Sequence, residues 1–356
     1  MAHNDAFIGW PAILAQLLER RDLSPVLAES AITEILNGDA TPSQMTAFIV
    51  ALRAKGESSA ELEGMLHAVR AAGNRVSLSP DTAARAIDIV GTGGDKSNSV
   101  NVSTMSALVV AGAGVPVCKH GNRAASSKCG SADVLEAAGV AVELDPRGVE
   151  ACVEETGFGF CLAARFHPAF RYTGPSRREI GVPTAFNLLG PMANPAPITN
   201  MLVGVAMPGM MGRMAEALVS RGITSAWVVH GHGGLDELAV SGPNTVFELR
   251  DGAVREMTVD AKDFGIDVSS LSDIEGGEIA DNLRAMVELF AGATGPVRDI
   301  VTFNAGCALH VAGLVPDVSE GIERARASID SGAAAAQLAR VVEVSNRELA
   351  RMESQP

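Results

Sequence analysis

The sequence predicts an α/β protein, with a small N-terminal α-helical domain and a larger α/β domain that has a mostly parallel central sheet. Three observations predict it. Residues 1–80 show only helical periodicity, and short β-branched runs alternate with helical segments from Ala86 onward. The 356-residue chain contains 37 glycines, 4% aromatic residues and 47% hydrophobic residues. This composition and length are typical of an α/β enzyme with a full core.

Four short helices are predicted in residues 1–80. The second begins at Ser24, where a capping residue precedes a proline at the first helical position. The third and fourth begin at the sequences TPSQ (residues 41–44) and SSAE (residues 58–61), which both fit the capping-box pattern. Apolar residues recur at helical spacing in these segments, which indicates a bundle-like domain.

The pattern changes at Ala86. Short apolar or β-branched runs are each followed by glycine-rich turns and Ala/Leu-rich segments: AIDIV, VPVC, FGFCL, LVGVA and AWVVH. This alternation is typical of parallel strands with helices packed on the sheet. We expect the α/β domain to comprise residues 81–171 and 201–356, with residues 172–200 returning to the helical domain.

Charge and cysteine content limit the possible functions. The net charge is 28 minus 42, or −14, which argues against a nucleic-acid partner. An acidic protein that takes an anionic ligand needs metal cations or a local basic pocket. The five cysteines form no CxxC pair, and neither a signal peptide nor a membrane-spanning run is evident. We therefore expect a cytoplasmic protein with reduced thiols and no membrane partner.

The first candidate site is the loop GTGGDKSNSVNVST, from Gly91 to Thr104, after the first predicted strand. In a strand–loop–helix unit, glycines let backbone N–H groups and a helix N-terminus converge on an anion. Neither the Walker loop nor the dinucleotide fingerprint fits, because each requires a glycine where Lys96 stands. The loop is therefore a phosphate cradle of another kind, or only a tight turn.

The second candidate site follows the next strand, in CKHGNRAASSKCGSADVLEAAG from Cys118 to Gly139. Its first part is densely polar: Lys119, His120, Asn122, Arg123, Ser126, Ser127 and Lys128. At the carboxyl edge of a parallel sheet it would lie beside the first loop, and two such loops suit a polyphosphate. The alternative is a solvated loop without function.

The third candidate site is GHGGLDELAV, where Asp236 and Glu237 are adjacent after a Gly-Gly turn. Carboxylates are hard oxygen ligands that suit Mg²⁺. The alternative is the capped start of a helix. His230 and His232 lack further spaced ligands, which favours hydrogen bonding within the loop over metal binding.

Taken in order, these segments resemble anthranilate phosphoribosyltransferases of the tryptophan pathway. The matching motifs are GTGGD (91–95), NVST (101–104), KHGNR (119–123), SADVLE (131–136), FNLLGPMANP (186–195) and GLDE (234–237). The resemblance implies a helical domain hinged to an α/β domain, with a homodimer formed through the helical part. It also implies transfer of the 5-phosphoribosyl group from phosphoribosyl pyrophosphate (PRPP) to the amine of anthranilate, with two Mg²⁺ per active site.

The resemblance also implies roles for particular residues. Those expected to bind PRPP are Gly91, Thr92, Gly93, Gly94, Asp95, Ser99, Asn101, Val102, Ser103, Thr104, Lys119, His120, Gly121, Asn122, Arg123, Ser126, Ser127 and Ser131. Those expected to bind anthranilate are Gly91, Asn122, His167, Arg177 and Gly190. The expected magnesium ligands are Ser103, Asp236 and Glu237. No covalent nucleophile is expected, and we hypothesise direct attack by the amine with inversion.

The sequence departs from the family pattern at three places, one of which is Cys129 at a usual serine position. Lys96 stands where the family commonly has glycine, and Tyr172, Thr173 and Ser176 replace the usual residues before Arg177. The same PRPP chemistry on another aromatic amine is therefore an alternative. A pyrimidine nucleoside phosphorylase is a second, since it shares the architecture, and a non-catalytic nucleic-acid-binding relative is a third.

Overall fold

The computed structural model describes residues 6–124 and 128–354. Its first part consists of four helices: α1 (Trp10–Leu18), α2 (Pro25–Asn37), α3 (Pro42–Lys55) and α4 (Ser59–Ala72). The Ser24 hydroxyl accepts the Leu27 N–H at the start of α2. Both predicted capping boxes are formed, by Thr41 in α3 and by Ser58 in α4. Local sequence therefore determines where these helices begin.

A short helix, α5 (Pro80–Arg85), leads into one seven-stranded sheet. Its strands are β1 (Ile87–Gly91), β2 (Val117–Gly121), β3 (Phe158–Leu162), β4 (Asn200–Gly204), β5 (Ser225–His230), β6 (Asn244–Arg250) and β7 (Ala253–Val259). The order is β3-β2-β1-β4-β5-β6-β7, and the first five are parallel. Chain order reverses between β1 and β4, which is where ligands bind in open α/β sheets.

The five apolar runs of the sequence form β1 to β5, so the mostly parallel sheet is confirmed. The antiparallel pair β6 and β7 was not predicted. Its signal was Asp251-Gly252, a two-residue turn in which both residues have positive φ (50° and 79°). An Asp-Gly dipeptide between alternating segments is a hairpin signal.

Helices cover both faces of the sheet. They are α6 (Val102–Gly112), α7 (Ser131–Ala137), α8 (Pro146–Thr156), α12 (Met211–Arg221), α13 (Ile279–Phe290), α14 (Pro296–Val311), α15 (Val318–Asp330) and α16 (Ala333–Glu353). Leu202 belongs to the core formed with α6 and α14, whereas its neighbours Met201 and Val203 point into the core shared with the N-terminal helices. The helical bundle and one sheet face therefore share a core.

Three α-helices lie between β3 and β4, together with the 3-10 helix Pro168–Tyr172: α9 (Ala163–Phe166), α10 (Gly174–Ile180) and α11 (Ala185–Met192). Both α10 and α11 contact α3, and α11 also contacts α4. The segment thus packs on the N-terminal bundle, although the exact domain boundaries stay a prediction. Within the described ranges, no helix is long and apolar enough to span a membrane.

Candidate active site

The three predicted loops meet at the carboxyl ends of β1 and β4. Gly91 and Gly204 are paired in register there, and both adjoin Asp236. A Cβ on Gly204 would lie 1.4 Å from the Asp236 backbone oxygen, and one on Gly91 would lie 2.4 Å from Asp236 Oδ2. The two glycines therefore provide the space that brings the Asp236 bend against the first loop.

Three carboxylates cluster at this point. Asp95, Asp236 and Glu237 each offer an oxygen within 4.8 Å of the other two. Burial, and then the charge of Asp95, raise the pKa of Asp236 to about 7. Burial, and then the charges of Asp236 and Asp95, raise the pKa of Glu237 well above its usual value. Like charges held this close require a cation or a proton between them.

The cluster fits a divalent cation. Asp95 Oδ2 and Glu237 Oε2 are buried, and no described residue hydrogen-bonds to either. The Gly93 N–H donates to Asp236 Oδ2 at 2.6 Å, which fixes one carboxylate. Unpartnered carboxylate oxygens match the hard ligands that Mg²⁺ prefers. Asp236 and Glu237 do not begin a helix, since they form a bend after the 3-10 turn His232–Gly234.

Lys119 is a buried cation at the end of β2. Its Nζ donates to the Ile89 carbonyl and, at 3.2 Å, to Ser103 Oγ. An ammonium has three N–H groups, so one has no partner among the described residues. Burial lowers the pKa of Lys119 to about 8, and the charges of Asp88, Glu237 and Asp236 oppose that shift. Ser103, a predicted magnesium ligand, contacts this lysine.

The first loop has the backbone of an anion cradle. Gly93 and Gly94 have positive φ (67° and 82°), and so do Lys96 (63°) and Asn98 (52°). A left-handed conformation costs a non-glycine residue about 1–2 kcal/mol. The loop ends at the N-terminus of α6, where the helix dipole favours an anion.

The residues at the start of α6 are held by contacts with residues that are far away in the sequence. The Asn101 N–H donates to Asn282 Oδ1 at 3.1 Å, and Ser99 forms a bridge with Glu275. Asn101 Oδ1 and Thr104 Oγ1 are buried without a hydrogen-bond partner among the described residues. Val102 is fully buried, so its side chain supports the helix. Asn101 and Thr104 therefore retain polar capacity at the site.

The second loop is described only in part, since Ser126 and Ser127 lie outside the described residues. Arg123 forms ion pairs with Glu136 (2.7 Å) and Glu143 (2.9 Å), and the hydrogen bonds to these two carboxylates raise its pKa. The guanidinium is thus engaged by carboxylates. Ser131 Oγ donates to the Asn122 carbonyl at 3.2 Å, which ties the loop to the start of α7.

The predicted acceptor residues flank the other side of the crevice. The rings of His120 and His167 meet edge to face, with centroids 5.2 Å apart. Burial lowers the pKa of both, so both are neutral at pH 7. His120 Nδ1 donates to the Gly190 carbonyl (3.1 Å) and His167 Nε2 to that of Ala193 (2.9 Å). His120 Nε2 is a buried acceptor without a partner among the described residues, whereas His167 Nδ1 faces Gly73 at the end of α4.

Arg177 and Gly190 complete that side. The Arg177 guanidinium lies 5.4 Å from the centroid of the Phe186 ring, and burial lowers its pKa. No described carboxylate pairs with it. A Cβ built on Gly190 would meet no atom within 4 Å, so open space adjoins this glycine. An arginine that lies over an aromatic ring and has no described carboxylate partner can bind a planar carboxylate.

Comparison with known proteins identifies the family. Residues 83–335 match the α/β domain of a glycosyl transferase family, and residues 11–73 match its helical bundle domain. An anthranilate phosphoribosyltransferase of Salinispora arenicola is 50% identical, covering 95% of this chain and 97% of its own length. The chain belongs to the anthranilate phosphoribosyltransferase family.

Solved structures of anthranilate phosphoribosyltransferases agree with this family assignment. The Thermus thermophilus crystal structure has a TM-score of 0.88 and 38% identity, covering 94% of this chain and 99% of that one. The Saccharomyces cerevisiae enzyme in complex with PRPP and Mg has a TM-score of 0.86 and 27% identity, covering 95% and 98%. The helical-plus-α/β fold is thus shared over nearly the whole length.

Some features of this family member were missed by sequence reasoning. The sequence assigns Asp95 to the PRPP turn alone, yet it lies within 4.8 Å of the predicted magnesium ligands Asp236 and Glu237. Asn282 and Glu275, which hold the first loop, have no local sequence signal. The two histidines near Asp236 both form hydrogen bonds: His232 bonds to Ser241 within the loop, and His230 bonds to the Val205 carbonyl outside it.

We expect Gly204→Ala to destabilise this family member by about 3 kcal/mol, because the new Cβ would displace the Asp236 backbone. Urea denaturation measures the effect. Gly209→Ala is the matched control, since a Cβ there meets nothing within 4 Å and the glycine has no positive φ. Equal midpoints for the two variants would contradict the prediction.

We expect Mg²⁺ to stabilise the protein more at pH 8 than at pH 5. The raised pKa of Asp236, about 7, means that the folded metal-free protein holds a proton that the unfolded chain loses near pH 4. That stabilising contribution is lost as pH rises through about 7, and bound Mg²⁺ would offset the loss. The measurement is the urea midpoint with Mg²⁺ minus that with EDTA at each pH. A difference between these midpoints that is the same at pH 5 and pH 8 would contradict the prediction.

Proposed function

We propose that the chain transfers the 5-phosphoribosyl group of PRPP to the amine of anthranilate, which yields N-(5-phosphoribosyl)anthranilate and pyrophosphate. One observation carries this proposal. A buried ammonium, Lys119, reaches the Ser103 hydroxyl beside a glycine-rich turn and a cluster of three carboxylates, all at one edge of the sheet. A cation beside a set of metal ligands suits a magnesium pyrophosphate donor.

We propose that the donor lies along the first loop and α6. The backbone N–H groups of Gly94 and Asp95, together with the N-terminus of α6, would bind phosphates, with Asn101 and Thr104 as side-chain partners. Asp236 and Glu237, joined by Asp95, would hold Mg²⁺, with Ser103 as a further ligand and two ions per site. Bound Mg²⁺ would neutralise charge that develops on the departing pyrophosphate.

The protein would act by electrostatics and positioning. Lys119 would donate its free N–H to the leaving group, and the crevice would hold the amine behind the anomeric carbon. Such a displacement needs no covalent nucleophile, and inversion follows from direct attack. The bare nitrogen of His120 can accept a hydrogen bond from the amine. Trapping a ribosyl-enzyme adduct would contradict this mechanism.

The altered stretch before Arg177 is compatible with anthranilate. The ring of Tyr172 packs on Gly38 at the end of α2. Thr173 is fully buried and its hydroxyl donates to the Phe170 carbonyl at 2.9 Å, while Ser176 is 6% exposed. Thr173 and Ser176 are thus occupied with packing, whereas Tyr172 is 39% exposed. We propose that Arg177 binds the acceptor carboxylate, with Asn122, His167 and Gly190 around the ring and Gly91 nearby.

The test is pyrophosphate release from PRPP and Mg²⁺, with and without anthranilate, together with the loss of anthranilate fluorescence. Release that depends on anthranilate is the expected result. PRPP binding without turnover of anthranilate would favour another aromatic amine as acceptor. Ribose transfer from a pyrimidine nucleoside to free phosphate without Mg²⁺ would favour the phosphorylase.

We propose a homodimer formed through the helical domain. Leu18 (76% exposed) in α1 and Val50 (46%) in α3 leave apolar surface on two helices that contact each other, and Val182 (57%) follows α10, which also contacts α3. We expect Leu18→Glu to shift the sedimentation coefficient from dimer to monomer. Val268→Glu, at an exposed position in the α/β domain, is the control. A monomeric wild-type protein would contradict the proposal.

A further inference from the structure

Strands β1 and β2 separate toward the active site. The register pairs only Ile87 with Val117 between them, whereas β1 and β4 pair along five residues. Beyond that pair, side chains bridge the gap between the two strands. Asp88 Oδ1 accepts the His120 N–H at 3.1 Å, and the Lys119 ammonium donates to the Ile89 carbonyl. Asp88 thus replaces a missing backbone contact just below the site.

Asn194 holds the other oxygen of Asp88. Its Nδ2 donates to Asp88 Oδ2 (2.8 Å) and to the Cys118 carbonyl (2.7 Å), while its Oδ1 accepts the Ala196 N–H (2.8 Å). The side-chain amide therefore has a fixed orientation. The Asn194 backbone carbonyl is also bound, by the Arg221 guanidinium at 3.2 Å. Both Asp88 and Asn194 are fully buried, so neither can touch a substrate.

The two residues connect the two halves of the active site. Asp88 lies between the strands that carry the glycine turn and Lys119. Asn194 comes just after α11, four residues after Gly190, whose carbonyl accepts a hydrogen bond from His120. A shift of α11 relative to β1 and β2 would move Gly190 away from Lys119. Asp88 and Asn194 form a side-chain link across that boundary, in addition to the bond between His120 and Gly190.

We propose that Asp88 and Asn194 form a positioning pair that fixes the acceptor side of the active site relative to the PRPP lysine. The inference rests on the transferase function proposed above. Displacement at the anomeric carbon requires the amine to lie in line behind it, and an error of about 1 Å can cost a hundredfold in rate. The pair would thus affect the chemical step more than PRPP binding.

Burying a carboxylate in a gap between strands costs free energy, because the charged group loses its water. Burial raises the pKa of Asp88 to about 6, although Lys119, Asn194 and His120 oppose the shift. A well-packed apolar pair can be as stable as a buried polar one. What a hydrogen-bonded pair adds is one fixed geometry, because donors and acceptors must face each other.

Asn194→Ala tests the proposal, and Asn200→Ala is its matched control. Asn200 is 6% exposed, and its Nδ2 donates to two carbonyls, those of Ala84 (3.2 Å) and Ala86 (3.1 Å), at the opposite end of the sheet. Asn194→Ala removes three side-chain hydrogen bonds and Asn200→Ala removes two, so both should lower the urea midpoint. We expect only Asn194→Ala to lower kcat, by about 10-fold to 100-fold, with the Kd for PRPP within about threefold of wild type.

Asp88→Asn is the second variant. It keeps the shape of the side chain but places an amide NH2 group against one of the two N–H donors that Asp88 accepts, from His120 and from Asn194. We expect a similar fall in kcat, and we expect the double variant to be no worse than the more impaired single one, because the two residues act as a unit. Equal kcat for Asn194→Ala and Asn200→Ala, or a PRPP Kd that rises as much as kcat falls, would overturn the positioning role. A wild-type protein inactive with anthranilate would instead overturn the proposed function.

Discussion

Replacing Lys119 with methionine should lower kcat/KM for PRPP by about a thousandfold. Removal of one preorganised donor to a developing negative charge typically costs about 100-fold to 1000-fold, and a lysine also supplies full charge. Methionine has a similar length and is apolar, so it suits a position where the side chain is 1% exposed. The measurement is steady-state kinetics with PRPP varied at saturating anthranilate and Mg²⁺.

Two observations separate this effect from a general defect. Lys262→Met makes the same chemical change at an exposed surface lysine that pairs with Asp260, and we expect it to stay within about twofold of wild type. Loss of the Lys119 charge also leaves Asp236 and Glu237 without a nearby cation, so the Mg²⁺ concentration for half-maximal activity should stay equal or fall. An activity of Lys119→Met within tenfold of wild type would contradict the proposed role.

Glu237→Gln should change activity and stability in opposite directions. With one ligand gone, we expect the Mg²⁺ concentration for half-maximal activity to rise at least tenfold and kcat/KM to fall by about a hundredfold. In EDTA, however, the variant should be more stable than wild type, because one of three carboxylates within 4.8 Å of one another becomes neutral. Activity titrations with Mg²⁺ and urea denaturation in EDTA measure the two effects.

Glu278→Gln is the control, since Glu278 is an exposed residue that pairs with Lys128 outside the cluster. We expect it to leave both measurements unchanged. If Glu237→Gln lowered stability in EDTA, the carboxylates would not repel one another. If its Mg²⁺ dependence matched that of wild type, Glu237 would not be a metal ligand.

Local signals in the sequence predicted much of the fold. Capping at Ser24, Thr41 and Ser58 depends on residues within one helical turn, so it can be found without tertiary information. The parallel strands were found because buried strands are continuous apolar runs. The hairpin of β6 and β7 was missed since its strands carry many charged residues, and only the Asp251-Gly252 turn identifies it.

The site was harder to predict because its geometry depends on contacts distant in sequence. Asp95 lies near Asp236 only when the ends of β1 and β4 are side by side, because Asp236 packs against both Gly91 and Gly204. Asn194 lies inside a quoted motif, but its bond to Asp88 spans 106 residues. Motif resemblance indicated which segments matter. Which side chains contact each other within those segments could be found only from the three-dimensional fold.

Helices α11 and α12 follow α4 at a long distance along the chain, which has a consequence for folding during synthesis on the ribosome. Both helices contact α4, yet the chain makes α4 first and completes the two partners only after β1, β2 and β3. Apolar residues of α4 that are buried in the finished protein, such as Leu62, Met65 and Leu66, therefore emerge before the segments that complete their surroundings. The nascent N-terminal helices would carry incompletely covered apolar surface for that interval, which is where a chaperone would bind.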